Sequence, residues 1–207
     1  MAGRAPARRV TAASQECASR RGACLGASRP APARFTLVLF NHRYELVHEG
    51  VDLQAAPELE STTYAIGGTT ALLDAVGMTI DSVRNRIAGL PEAERPAGVI
   101  VAILTDGLEN SSREYTRQEV FDRIRQQQAE GWEFVFLAAN QDAVQEGGTI
   151  GIPTQDARAY AHSGEGVREA WSGISRRTSR SRQRARKRRK PGSGSNDRSP
   201  IGFKGKN

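Results

Sequence analysis

Val99–Gly107, VIVAILTDG, is the stretch whose reading decides the fold. Six apolar residues in succession, four of them β-branched, predict a strand covered on both faces, because a strand with one wet face alternates. The run stops at Thr105-Asp106-Gly107, where an Asp-Gly pair is a turn signal. Upstream, Leu72, Leu73, Val76, Ile80, Val83 and Ile87 are spaced by three and four, which predicts a helix from Thr69 to about Leu90. Gly67-Gly68 precede it and Pro91 follows it, as helix boundaries require. Downstream, Thr116 to about Gly131 reads as a polar-faced helix with Val120, Phe121 and Ile124 inward, closed by Gly131. Glu133–Ala139, EFVFLAA, is a second buried strand.

Phe35–Phe40, FTLVLF, is a third apolar strand, and Tyr44–Val51 follows closely enough to form a hairpin with it. Beyond Ala139 the sequence predicts a short helix around Asp142–Glu146, a small strand near Thr149–Ile152 and a helix over Glu165–Ser175. Strands alternating with helices predict an α/β fold with a Rossmann-like, doubly wound, mostly parallel sheet. Ligands of such sheets bind outside the carboxyl ends of the strands. The loops after Phe40, Leu104 and Ala139, and the start of the first helix, are therefore the places to look.

The net charge of +7 dissolves on division. Residues 1–34 hold seven Arg and one Glu, and residues 168–207 hold 14 Arg or Lys and two acids, whereas residues 35–167 carry nine Arg against 20 acids. The middle is acidic and the ends are basic. Residues 1–33, rich in Ala, Arg, Gly and Pro, have too few large aliphatics to offset ordering entropy and are expected to be a disordered arm. Residues 34–175 form the expected domain. Residues 176–207 are expected to be a disordered Arg/Lys-rich tail, with ten basic residues and no acid between Arg176 and Lys190. Both ends also read as GC-rich coding sequence translated from another frame or start. Cys17 and Cys24 match no common zinc spacing and imply no disulfide framework, so a reducing compartment is expected. No apolar run approaches a membrane span.

The combination GGTTALLDA, VIVAILTDGLENSS and WEFVFLAANQDA resembles the von Willebrand factor type A (VWA) domain, over about Arg34 to Ile152. The resemblance implies a metal ion-dependent adhesion site: a divalent cation, Mg2+ (or Mn2+ or Ca2+), held on the upper edge of the sheet and completed by a partner's carboxylate. It assigns Thr69 and Asp106 as metal ligands, with Gly68 and Gly107 letting the backbone turn beside the ion. Hydroxyls, carboxylate and water suit such a hard cation. Glu109, Asn110 and Asn140 fall where a site rim would lie. The family's first strand and its DxSxS loop are missing: Ser14, Ser19 and Ser28 do not follow an Asp. In the family's strand order, 3-2-1-4-5-6, that strand is central, so the fold is expected to be incomplete at its N-terminus, with a vacant slot between Phe35–Phe40 and Val99–Leu104.

The expected function is protein binding: recognition of an acidic partner through a divalent metal site that is incomplete in this chain. The alternative is a nucleic-acid-associated protein that binds phosphates through its basic C-terminal tail. An enzyme is not expected, because the chain has no G-x-x-x-x-G-K-[ST], G-x-G-x-x-G or G-x-S-x-G motif and no plausible nucleophile beside a His. The resemblance implies a cytoplasmic location, and no membrane partner is expected.

Overall fold

The computed structural model describes residues 9–12, 32–58, 68–139, 143–161 and 163–189. Cys17, Cys24, Gly67, Asn140 and His162 lie outside them, as does residues 190–207 of the tail. The fold is mixed α/β, compatible with the Rossmann-like class. Six strands, β1 (Arg9–Ala12), β2 (Arg34–Phe40), β3 (Tyr44–Asp52), β4 (Ile100–Thr105), β5 (Glu133–Ala138) and β6 (Ala157–Ala159), form two three-stranded sheets. One has the order β1-β2-β3 and is antiparallel; the other has the order β4-β5-β6 and is parallel. The helices are α1 (Leu72–Ala88), α2 (Arg117–Ala129), α3 (Ala143–Thr149) and α4 (Gly164–Arg189).

Period-two burial divides the sheet residues between two cores. Val101, Ile103, Phe134 and Phe136 pack with Leu72, Val76 and Ile80 of α1 and with Val120 and Ile124 of α2. Ala102, Leu104, Val135 and Leu137 face the other way and pack with Phe35, Leu37 and Leu39 of β2 and with Ala170 and Ile174 of α4. Each fully buried Leu, Ile or Phe contributes about 1.5–3 kcal/mol. This two-sided cover is why β4 and β5 are apolar throughout. Helix α2 starts on a capping box, in which the Thr116 hydroxyl accepts from the Glu119 N–H while the Glu119 carboxylate accepts from the Thr116 N–H. Gly131, at φ +90°, ends the turn beyond it.

The structure differs from the sequence-based expectation at three places. Arg9–Ala12, inside the arm expected to be disordered, is a strand. It pairs antiparallel with β2, Arg9 opposite Phe40 and Ala12 opposite Leu37, and also lies beside β4. The slot expected to be vacant is therefore taken by arm residues, which satisfies backbone groups that β2 would otherwise leave unpaired. At the other end, α4 runs through the expected boundary at residue 175 to Arg189. Arg, Gln, Ala and Lys are good helix formers, and the apolar start of α4 is anchored on the sheet. Finally, the small strand is Ala157–Ala159 instead of Thr149–Ile152. Ile150 and Ile152 are buried, but Gly151 between them adopts φ +88° and turns the chain out of an extended path.

Candidate functional site

The loop after β4 folds back over the start of α1. It turns at once because the Thr105 hydroxyl donates to the Gly107 carbonyl (3.0 Å) and accepts from the Gly107 N–H (3.4 Å). Four residues past Asp106, the loop meets the chain leading into α1. The Thr70 N–H donates to Asn110 Oδ1 (2.7 Å), and the Thr70 carbonyl accepts from the N–H groups of Asn110 (3.0 Å) and Ser111 (3.2 Å). From the other side, the Ala71 N–H donates to the Asn41 carbonyl at the end of β2 (2.7 Å). The end of β2, the start of α1 and the loop after β4 thus share one edge.

Two carboxylates lock that edge in opposite directions. Glu109, on the loop, accepts from the Leu73 N–H of α1 (2.9 Å), from its own loop's Ser111 and Ser112 N–H groups (2.9 and 2.7 Å) and from the Ser112 hydroxyl (2.7 Å). Asp74, on α1, accepts from the N–H groups of Arg113, Glu114 and Tyr115 (2.8, 2.9 and 2.9 Å). The Ser112 hydroxyl also accepts from the Asp74 N–H (3.1 Å). A helix start leaves N–H groups without intrahelical partners and favours negative charge. Here Glu109 and Ser112 supply the partners from a distant part of the chain. The helix boundary position is Ala71, two residues past the predicted start at Thr69, and it has no side-chain cap of its own.

Thr69 is exposed and lines a cavity of about 500 Å3; Asp106 is half-buried directly after β4 and has an interaction partner of its own. The segments carrying them are joined by the Thr70–Asn110 bonds. Gly68 adopts φ +97° beside the Thr, where an added Cβ would come within 2.6 Å of His42 Nδ1, so only glycine suits the position. Gly107 sits in the Thr105 turn. The rim positions have other work: both Glu109 oxygens are engaged by the clamp, and Asn110 Oδ1 accepts from Thr70. A magnesium ion demands about six oxygen ligands. Thr69 and Asp106 supply one hydroxyl and one carboxylate, and among the described residues no group of three or more His, Cys, Asp or Glu side chains could hold a metal ion. Thr69 and Asp106 alone, of the described residues, do not fill such a shell.

The cavity mixes apolar and charged walls. Phe40, Tyr44 and Met78 form its apolar part, and Met78 is 37% exposed, one of few large hydrophobics so open among the described residues. Its cationic part is Arg43 and Arg113, with His42 between β2 and β3. Glu114 opposes them, whereas Asp74 is spent on main-chain N–H groups. Burial raises the Tyr44 phenol above its ordinary value, the Thr79 hydrogen bond works against this, and Glu49 adds to it; Tyr44 is therefore a neutral wall. Sequence reasoning named Thr69 and Asp106 and missed the clamp. The available signal was Glu109 followed at two and three residues by Ser111 and Ser112, a spacing that suits a carboxylate accepting from its own loop's N–H groups.

No protein-family model, curated protein or solved structure matches this chain. What the fold and its edge define is a mixed α/β protein with a three-stranded parallel sheet and a braced loop at the sheet's edge. Among the described residues no helix is long and apolar enough to cross a membrane.

Proposed function

We propose that this chain is a protein-binding module of the VWA-like kind that docks an acidic partner at the edge where α1 begins and β4 ends. The observation that carries the reading is the clamp. Glu109, Asp74 and the Thr70–Asn110 bonds hold the segments bearing Thr69 and Asp106 together at one edge, as a site shared between these two loops requires. Thr69 and Asp106 are, on this reading, what the chain retains of a divalent-ion site. Being too few to complete it, they leave much of the attraction to Arg43 and Arg113 in the adjoining cavity. A guanidinium pairs with a carboxylate through two parallel hydrogen bonds, and Met78 adds apolar contact beside them. No catalytic role is part of this reading.

The test is binding of fluorescein-labelled poly-L-glutamate to the full chain, by anisotropy, with Mg2+ or with EDTA. Arg43→Glu combined with Arg113→Glu is expected to weaken binding at least about fivefold, since reversing a rim charge repels the partner. Asp106→Ala is expected to abolish whatever difference Mg2+ makes. Wild-type binding by all of these variants in both buffers would overturn the proposal.

A further inference from the structure

Helix α4 and strand β6 enclose a second cleft, of about 750 Å3, on the side of the molecule covered by the second core. Five arginines and three acids line it. Arg177 takes two of those acids: its guanidinium contacts Asp156 and lies 3.3 Å from Glu133. Burial alone would lower the Arg177 pKa, but Asp156 and Glu133 outweigh it and raise it. Ser181 also donates to Glu133 (2.7 Å). Arg177 and Ser181 therefore fasten α4 to the sheet and leave Glu169 as the remaining acid of the cleft.

The other four arginines, Arg158 on β6 and Arg176, Arg180 and Arg184 on α4, are exposed, and none has an acidic partner among the described residues. The three on α4 are four residues apart, so they follow one face at intervals of about 6 Å, over about 12 Å in all. A single small anion cannot use such a row; a chain of regularly spaced anions can. Guanidinium groups grip phosphate oxygens two at a time. The apolar face of α4 is already used: Ala170 and Ile174 are buried and Trp171 packs on the sheet, so no apolar stripe remains to enter a lipid surface. The cleft's aromatic side chain, Tyr160, has its hydroxyl turned to the Thr105 carbonyl (3.5 Å), and offers no stacking platform for bases.

We infer that the β6–α4 cleft is a binding site for the phosphate backbone of nucleic acid, with Arg158, Arg176, Arg180 and Arg184 as its phosphate contacts and no base preference. The site is separate from the edge that carries Asp106. Its basis is an ordered helix that fixes the spacing of the charges, which a solvated run of arginines would not do.

The experiment is fluorescence anisotropy of a short labelled DNA duplex with the full chain, titrated between about 50 and 200 mM salt. The variant Arg158→Gln, Arg176→Gln, Arg180→Gln, Arg184→Gln should bind at least about tenfold more weakly, and the slope of log K against log salt should fall by about 3–4, near 0.9 per lost contact. The same four positions changed to Lys should bind within a few-fold of wild type, which separates lost charge from lost structure. Changing Arg186, Lys187, Arg188 and Arg189 to Gln should leave most of the affinity, and Asp106→Ala should leave all of it. The inference is overturned by an unchanged slope in the Arg→Gln cleft variant, by complete loss in the 186–189 variant, or by phosphatidylserine vesicles that compete as strongly as a second duplex.

Discussion

Replacing Glu109 by Ala removes one carboxylate, strands the main-chain donors of Leu73 and Ser112 together with the Ser112 hydroxyl, and leaves the Ser111 N–H with its bond to the Thr70 carbonyl alone. Hydrogen bonds to a charged group are worth about 1.5–3 kcal/mol each, but the loop is only part-buried and water replaces much of what is lost. The Leu73 bond is the capping bond of α1, and a lost cap costs about 0.5–2 kcal/mol. The negative charge at the helix start adds about 0.3–1 kcal/mol. A net loss of about 2–4 kcal/mol is expected, which for a chain of this size lowers Tm by roughly 5–15 °C. Thermal unfolding followed by circular dichroism gives the value. Hydrogen exchange at Leu73 and Ser112, read by NMR, locates the opening. Glu109→Gln retains an accepting oxygen and should recover part of the loss. If Glu109→Ala melts within about 2 °C of wild type and Leu73 stays protected, the carboxylate does not brace this edge.

Three further outcomes are expected. Gly77 of α1 lies against Tyr115, whose ring atoms would stand 2.4–2.7 Å from an added Cβ; Gly77→Ala should gain up to about 1 kcal/mol of helix propensity and lose more, about 1–3 kcal/mol, to overpacking, so denaturant titration should show net destabilisation, and Tyr115→Ala should reverse it. Replacing Asp156 and Glu133 by Ala leaves Arg177 part-buried without its acids, so limited trypsinolysis should cut at Arg176, Arg177 and Arg180 many-fold faster; unchanged cutting would show that α4 is held by its apolar face alone. The Glu119 pKa is lowered, first by the Thr116 N–H and then by the Thr116 hydroxyl, so the capping box stabilises α2 fully above the ordinary carboxylate range and loses its effect as pH falls through the depressed value. The Tm gap between wild type and Glu119→Gln should accordingly be open at neutral pH and close in acid.

The parts of the fold legible in sequence are those where burial writes a period into the residues. β4 and β5 show as unbroken apolar runs because both their faces are covered, and α1 shows as a stripe because one of its faces is. Ile87, at the end of that stripe, is only half-buried, and Gln127 of α2 is buried where polarity suggested solvent. β1 was illegible because Arg-Val-Thr-Ala pairs through its backbone, and backbone pairing leaves no pattern in side chains. The length of α4 was illegible for a different reason: its second half carries charge all round, and charge signals solvent whether or not the chain is helical. At the edge, the turn residues Thr105, Asp106 and Gly107 announced themselves. Asp74 did not, because it serves main-chain groups more than 35 residues away, and no local spacing records such a bond; Glu109 left its local trace in Ser111 and Ser112, but nothing near it in sequence records its bond to Leu73.

The clamp at the sheet edge reads peptide N–H groups, which every residue but proline possesses. Asp74 therefore holds positions 113 and 114 without regard to which side chains they bear, yet those side chains are among the ones that face the cavity. Shape and chemistry are uncoupled there: the contour of the loop is set by two acids, while its decoration is open to exchange. Substitutions at 113 and 114 alone can therefore change the chemistry of that wall of the cavity, with no retuning of the scaffold beneath.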